Sequence, residues 1–243
     1  MDESTKARMD ENTGRSFSVP VDKPSGQFQS DNFAPTKSKE TPIGKLTDPV
    51  TQQHSNAQEY KQAILLPANH PSDEFMLPKH ERLIMRQIAE VINKEAPISR
   101  QLLCKRILTS WNITRLGPKL DGYIESLFSR TSFHKIIHEG VMFFWKDISQ
   151  MENYTLFRPN SGRDATDLPP EEVANGIKQT LEEQISLPTP DLARLVAQLF
   201  GYARMGTNVE TAMYQGINMA VAKGYIKVDN GRAKTLSSTF PIT

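Results

Sequence analysis

The side chains able to do chemistry in this chain are basic: Arg100, Lys105, Arg106, Arg115, Lys119, Lys135 and Arg204. The chemistry they point to is phosphate contact. From Lys79 to Lys146 there are twelve Lys and Arg against six Asp and Glu, whereas from Leu168 to Thr243 the two classes balance at seven each. A local cationic excess inside a chain of net charge +1 can meet a polyanion through that surface alone. Nucleophilic and acid–base constellations are missing. No Gly-x-x-x-x-Gly-Lys-Ser/Thr loop cradles a nucleotide, and no Gly-x-Ser-x-Gly elbow exposes a serine. The single cysteine, Cys104, falls on an apolar helix face, where nothing lowers its pKa and an inert thiol is expected. His134 and His138 are four apart, but in a hairpin that spacing does not aim both at one ion, and no Cys/His cluster of zinc spacing occurs. Glu182-Glu183 and Asp121/Glu125 read as solvated charges on helix faces. The expectation is no enzyme, no cofactor and no metal.

These residues need elements to position them. The fold class expected is mainly α with small β-hairpins, arranged as tandem winged-helix-like units. Residues 1–57 are rich in Ser, Thr, Asp, Asn, Lys, Gln and Pro, with isolated apolar residues that follow no period, so a disordered arm is expected there. That arm, together with a hydrophobic fraction of 37%, accounts for a mean hydropathy of −0.49. A first unit, 58–146, begins with an apolar lead-in stopped by Pro67. Ile84, Ile88, Val91 and Ile92 share one face of a first helix, and Pro97 ends it. Ser99 can cap a second helix carrying Leu102, Leu103, Ile107 and Leu108. Pro118 after Gly117 suits the start of a third, with Leu120, Ile124, Leu127 and Phe128 inside. Two β-rich runs around His138-Glu139-Gly140 then read as a hairpin. A connector, 147–167, leads to a second unit, 168–243. There Pro170, Thr189 and Thr207 mark three helix starts, Thr207 and Glu210 form a capping-box pattern, and Asp229-Asn230-Gly231 marks a second hairpin.

The halves also match residue by residue. Trp111-Asn112-Ile113-Thr114-Arg115-Leu116-Gly117 lies over Phe200-Gly201-Tyr202-Ala203-Arg204-Met205-Gly206, and Leu120, Ile124 and Phe128 fall on Val209, Met213 and Ile217. Arg115 and Arg204 have two readings. Each could contact phosphate at a helix N-terminus, or each could bond carbonyls or a carboxylate inside its own unit and fix the turn. The third helix of the first unit turns Asp121, Gly122, Glu125 and Ser126 outward. Two carboxylates there oppose a groove, so any DNA contact is expected through the backbone and without strong sequence preference.

On this doubled aromatic-x-x-x-Arg-x-Gly turn, residues 60 to 236 resemble the C-terminal domain of unknown function of large bacterial superfamily 1 helicase–nuclease proteins. Pro97-Ile98, Phe143-Phe144-Trp145 and the connector's Tyr154 to Arg158 extend the likeness. The family usually has Thr before the Gly, where this chain has Leu116 and Met205. The resemblance implies a non-catalytic accessory module of nucleic-acid-processing machinery, with DNA and a helicase or nuclease protein as partners. A protein-docking module without nucleic-acid binding is the alternative. With one cysteine, no apolar run of membrane-spanning length and no signal-peptide pattern, a cytoplasmic setting off the membrane is expected.

Overall fold

In the computed structural model, residues 56–236 are described, and they are mainly helical with small β elements. The expected disordered arm lies outside them, except for its last two residues. Asn56 and Ala57 form a parallel bridge with Phe157, closed by Phe157 N donating to Asn56 O at 3.1 Å and Gln58 N donating to Phe157 O at 2.8 Å.

Helix α1 spans Glu81–Glu95, and the expected apolar stripe is its buried face: Ile84, Ile88, Val91 and Ile92. A two-residue strand β1, Ile98–Ser99, follows. Ser99 then caps α2, Arg100–Ser110, by accepting from Leu102 N at 3.0 Å. Helix α3, Pro118–Phe128, starts on its proline after Gly117. Strands β2, His134–His138, and β3, Val141–Trp145, meet at Glu139-Gly140, both at positive φ as a tight twisted hairpin turn requires. The sheet order is β1-β3-β2, all antiparallel, so the strand before α2 pairs with the last strand of the set. Trp111 sits at the centre of this core with no exposure, and its Nε1 donates to Gln87 Oε1 at 2.9 Å. Neither β1 nor the next helix, α4 (Ile148–Glu152), was expected from the sequence, because each is too short to show a period.

After the connector the order returns: α5 Pro170–Gln184, β4 Ser186–Pro188, α6 Thr189–Leu199, α7 Thr207–Ala222, β5 Ile226–Asp229 and β6 Arg232–Thr235, with sheet order β4-β6-β5. Helices α1 and α5 both have 15 residues, and α2 and α6 both have 11. The starts of α1, α2 and α3, at 81, 100 and 118, each recur 89 positions later, at 170, 189 and 207. One local expectation fails. Gly206, not Thr207, is the N-cap of α7, and no side chain caps it; Thr207 is already helical and the capping box does not form. Helices α5 and α7 approach so closely that a Cβ on Gly216 would lie 2.2 Å from Val173 Cγ1.

Two apolar cores result, one built from residues between Ala63 and Phe144, the other from residues between Phe157 and Ala233. What joins them is charged. Glu172, in the first turn of α5, has no exposure, and both Arg158 and Arg163 bind it. Arg158 donates through Nε to Glu172 Oε1 at 3.1 Å, and also reaches the carbonyls of Glu95 at 2.6 Å and Pro97 at 2.8 Å. Arg163 donates through Nη1 to Glu172 Oε2 at 3.0 Å. The Tyr60 ring lies 5.3 Å from the Arg158 guanidinium and 4.8 Å from that of Arg163. Its hydroxyl donates to Glu95, whose carboxylate also accepts from Arg106 Nε at 3.2 Å and from Ala63 N at 2.9 Å. Burial acts to raise the Glu172 pKa, but the two guanidiniums outweigh it and hold it at about 2.

A carboxyl whose folded pKa lies below its unfolded value contributes stability above the unfolded pKa, and that contribution fades as pH falls through the folded one. Glu172 therefore contributes fully above pH 4.5 and progressively less toward pH 2. Glu172→Gln is expected to lower the unfolding free energy by about 3–5 kcal/mol at neutral pH, because it strands two buried guanidiniums. It should also flatten the acid limb of the stability curve. Urea unfolding of both proteins between pH 2 and pH 7 measures both effects, and equal stabilities across the range would refute this account of the junction.

Candidate nucleic-acid interface

The seven candidate cations divide into two groups. Arg100, Arg106 and Lys135 are engaged within the protein. Arg100, the first residue of α2, donates through Nη2 to Asp121 Oδ1 at 2.7 Å and through Nε to Glu125 Oε2 at 3.1 Å, and its guanidinium sits 5.7 Å from the Phe128 ring. Arg106 serves Glu95 and Tyr60 in the junction. Lys135 donates from Nζ to the Phe128 carbonyl at 2.6 Å, where α3 ends and leaves carbonyls without helical partners. Lys105, Arg115, Lys119 and Arg204 are exposed, and no hydrogen bond or ion pair engages them among the described residues. Lys105 stands on the rim of a cleft of about 320 Å³ shared with Tyr60, Arg163, Asp164 and Asp167. Burial pushes the Asp167 carboxyl above its ordinary pKa, and the Ser99 hydroxyl donates to it.

Arg115 and Arg204 occupy corresponding places, each three residues before the start of a helix, α3 in one case and α7 in the other. Both face solvent, and neither bonds a carbonyl or carboxylate of its own turn. The reading in which each guanidinium locks its turn therefore finds no contact to rest on. The helices behind them have Gly117 and Gly206 as N-caps, so no side chain caps either first turn. Asp121 and Glu125 match the sequence reading in part. They stay largely solvated, as expected, but they also hold Arg100 between them, so their field toward solvent is reduced.

Other polar groups come together that sequence reasoning did not pair. His138 Nε2 lies 2.7 Å from Glu171 Oε1, and Gln215 Nε2 donates to Glu139 Oε2 at 2.6 Å. The first hairpin turn is thereby tied to α5 and α7, and the His138 side chain is largely covered. Arg158 was visible only as part of a motif, and Arg163 was not singled out. Near the start of α1, His70, Glu74 and His80 bring one potential metal-donor atom each to within 4.8 Å of one another. Lys79, 2.7 Å from Glu74 Oε2, and His80 hold the Glu74 carboxyl down at about 2. Cys104 is buried, and burial raises its thiol pKa to about 11.

Arg115 and Arg204 have no internal partner, so Arg115→Glu and Arg204→Glu are each expected to change the unfolding free energy by less than about 0.5 kcal/mol. Arg106→Ala should cost about 3 kcal/mol, since it leaves the fully buried Glu95 carboxylate without its cation. Denaturant titration of the three variants separates the groups, and a large loss on either Arg→Glu change would restore a structural role to that arginine.

A family described as a protein of unknown function, DUF3320, matches residues 73–122, the stretch from just before α1 into α3. No curated protein matches the chain. The chain is thus similar over that segment to an uncharacterised domain.

Proposed function

We propose that residues 58–236 are two winged-helix-like units, one supersecondary unit used twice, forming a non-catalytic accessory module that contacts DNA weakly and without sequence preference. The observation that carries this reading is the pair Arg115 and Arg204: exposed, unpaired, and at the corresponding turn of each set of elements. An arginine kept at one place in both halves with no internal contact is available for an external anion. In each half the three helices, the strand before the second helix and the closing hairpin follow the winged-helix order. Pairing of Asp121 and Glu125 with Arg100 removes part of the repulsion those carboxylates would exert on a duplex. Association with helicase or nuclease machinery is the role that the resemblance to the C-terminal domain of such proteins supplies for this module, and the single cysteine is in keeping with a cytoplasmic setting. Among the described residues no helix is long and apolar enough to cross a membrane.

One observation favours docking to a protein instead. In the lead-in before α1, Ile64 is 85% and Leu66 82% exposed. Binding of the full chain to unrelated duplexes of equal length across salt concentrations decides between the two. The nucleic-acid reading expects similar affinities for all duplexes and a steep fall with salt. Charge reversal at Lys105, Arg115 and Arg204 should weaken every duplex about equally and reduce the salt slope by roughly one for each phosphate no longer neutralised. Absence of binding at low salt, or binding untouched by the reversal, would overturn it and leave the docking reading.

A further inference from the structure

We propose that His70, Glu74 and His80 form a binding site for a divalent transition-metal ion of zinc type. The three residues come from the stretch that precedes α1, where Glu74 and His80 each end a 3-10 turn, and Trp111 gives both imidazoles a common wall. The His70 ring stacks on Trp111 at a centroid distance of 5.8 Å and an interplanar angle of 27°. The His80 ring meets the same indole edge-on at 5.2 Å, and the two imidazole centroids are 4.1 Å apart. Trp111 is itself fixed by full burial and by its bond to Gln87. His80 is buried, Glu74 half-buried and His70 exposed, so the site opens to solvent on the His70 side.

The donor chemistry selects the ion. Two imidazole nitrogens and one carboxylate oxygen match the borderline preference of zinc, and three protein ligands leave a fourth position for water. Donors around a tetrahedral zinc lie roughly 3.4 Å apart, given bond lengths of about 2.1 Å. The three donor atoms already lie within 4.8 Å of one another, and His80 Nε2 and Glu74 Oε2 are 2.9 Å apart. The spacing is thus close to that of a loaded site, and His70, exposed between Pro67 and Pro71, has room to adjust. Lys79 competes for Glu74 Oε2, yet its side chain is more than half exposed, and Glu74 Oε1 takes no hydrogen bond or ion pair among the described residues. Of the other histidines in the described residues, His138 is taken by Glu171, and His134 joins no such cluster.

The test uses the tag-free full chain with zinc, and cobalt(II) as a spectroscopic stand-in. Equilibrium dialysis should find one tight equivalent of zinc, and cobalt should give the visible absorption of a four-coordinate ion. Cobalt should also quench the fluorescence of Trp111, whereas Trp145, which packs edge-on against Tyr154 and touches neither His70 nor His80, should be less affected. Since losing even an outer-shell partner of a metal site costs roughly 10–100-fold in affinity, His70→Ala and Glu74→Gln should each cost at least that much. His134→Ala should leave binding unchanged. Because His70 is exposed, its replacement keeps the test valid even if His80→Ala fails to fold. No stoichiometric binding, or binding that survives both His70→Ala and Glu74→Gln, would overturn the proposal and leave a hydrogen-bonded cluster only.

Discussion

Glu172 is the group on which the arrangement of the described residues depends. A lone carboxylate removed from water is penalised by several kcal/mol, so its burial is tolerable only with cations and donors on all sides. Arg158 and Arg163 supply both, and the N-terminal end of α5 adds a favourable dipole. Arg158 does a second job at the same time. By donating to the carbonyls of Glu95 and Pro97, it satisfies backbone groups that the end of α1 leaves without helical partners. One side chain thus fastens the C-terminus of the first helix of one half to the N-terminus of the first helix of the other.

Much of the architecture was legible because it is periodic or punctuated. The stripe Ile84, Ile88, Val91 and Ile92 could face only a core, and Glu139-Gly140 and Asn230-Gly231 could hardly be anything but turns. Strands β1 and β4 were illegible, since two or three residues show no alternation and exist only because the last strand of each hairpin pairs with them. The same limit applies to the site. Periodicity located Asp121 and Glu125 on the outward face of α3, but it says nothing of what stands opposite, and Arg100 is 21 and 25 residues away on another helix. Glu172 occupies a helix's first turn, where an acid is ordinary, and the cations that enclose it, Arg158 and Arg163, lie after α4 in a stretch with no helix or strand period to place them. His70 and His80 lie ten residues apart, a separation that no period connects, and their rings meet at 4.1 Å against the wall that Trp111 provides.

Counting charges along a segment overstates the cationic surface it presents. Three of the seven basic residues read as phosphate contacts are consumed by Glu95, by Asp121 with Glu125, and by a helix-end carbonyl. A guanidinium already bonded to a carboxylate contributes little field at a distance, since the pair is a small dipole rather than a charge. The unpaired positive charge among those seven therefore rests on Lys105, Arg115, Lys119 and Arg204, and on Lys135, whose ammonium is tethered to a neutral carbonyl and keeps its charge. A protein whose anion contacts are few and separated grips a phosphate backbone loosely, and its affinity depends strongly on ionic strength.

The order in which the junction's members occur along the chain bears on its assembly at the ribosome. Tyr60, Glu95 and Arg106 are synthesised first, then Arg158 and Arg163, and Glu172 last of the set. By the time Trp145 has emerged, the first core has all its apolar residues and can collapse. Arg158 and Arg163 then emerge as cations with no carboxylate to meet, and they remain hydrated until the first turn of α5 clears the exit tunnel. During vectorial synthesis the nascent chain thus carries an open, positively charged seam between a folded half and an unfinished one. Only the arrival of residue 172 allows that seam to dehydrate and close.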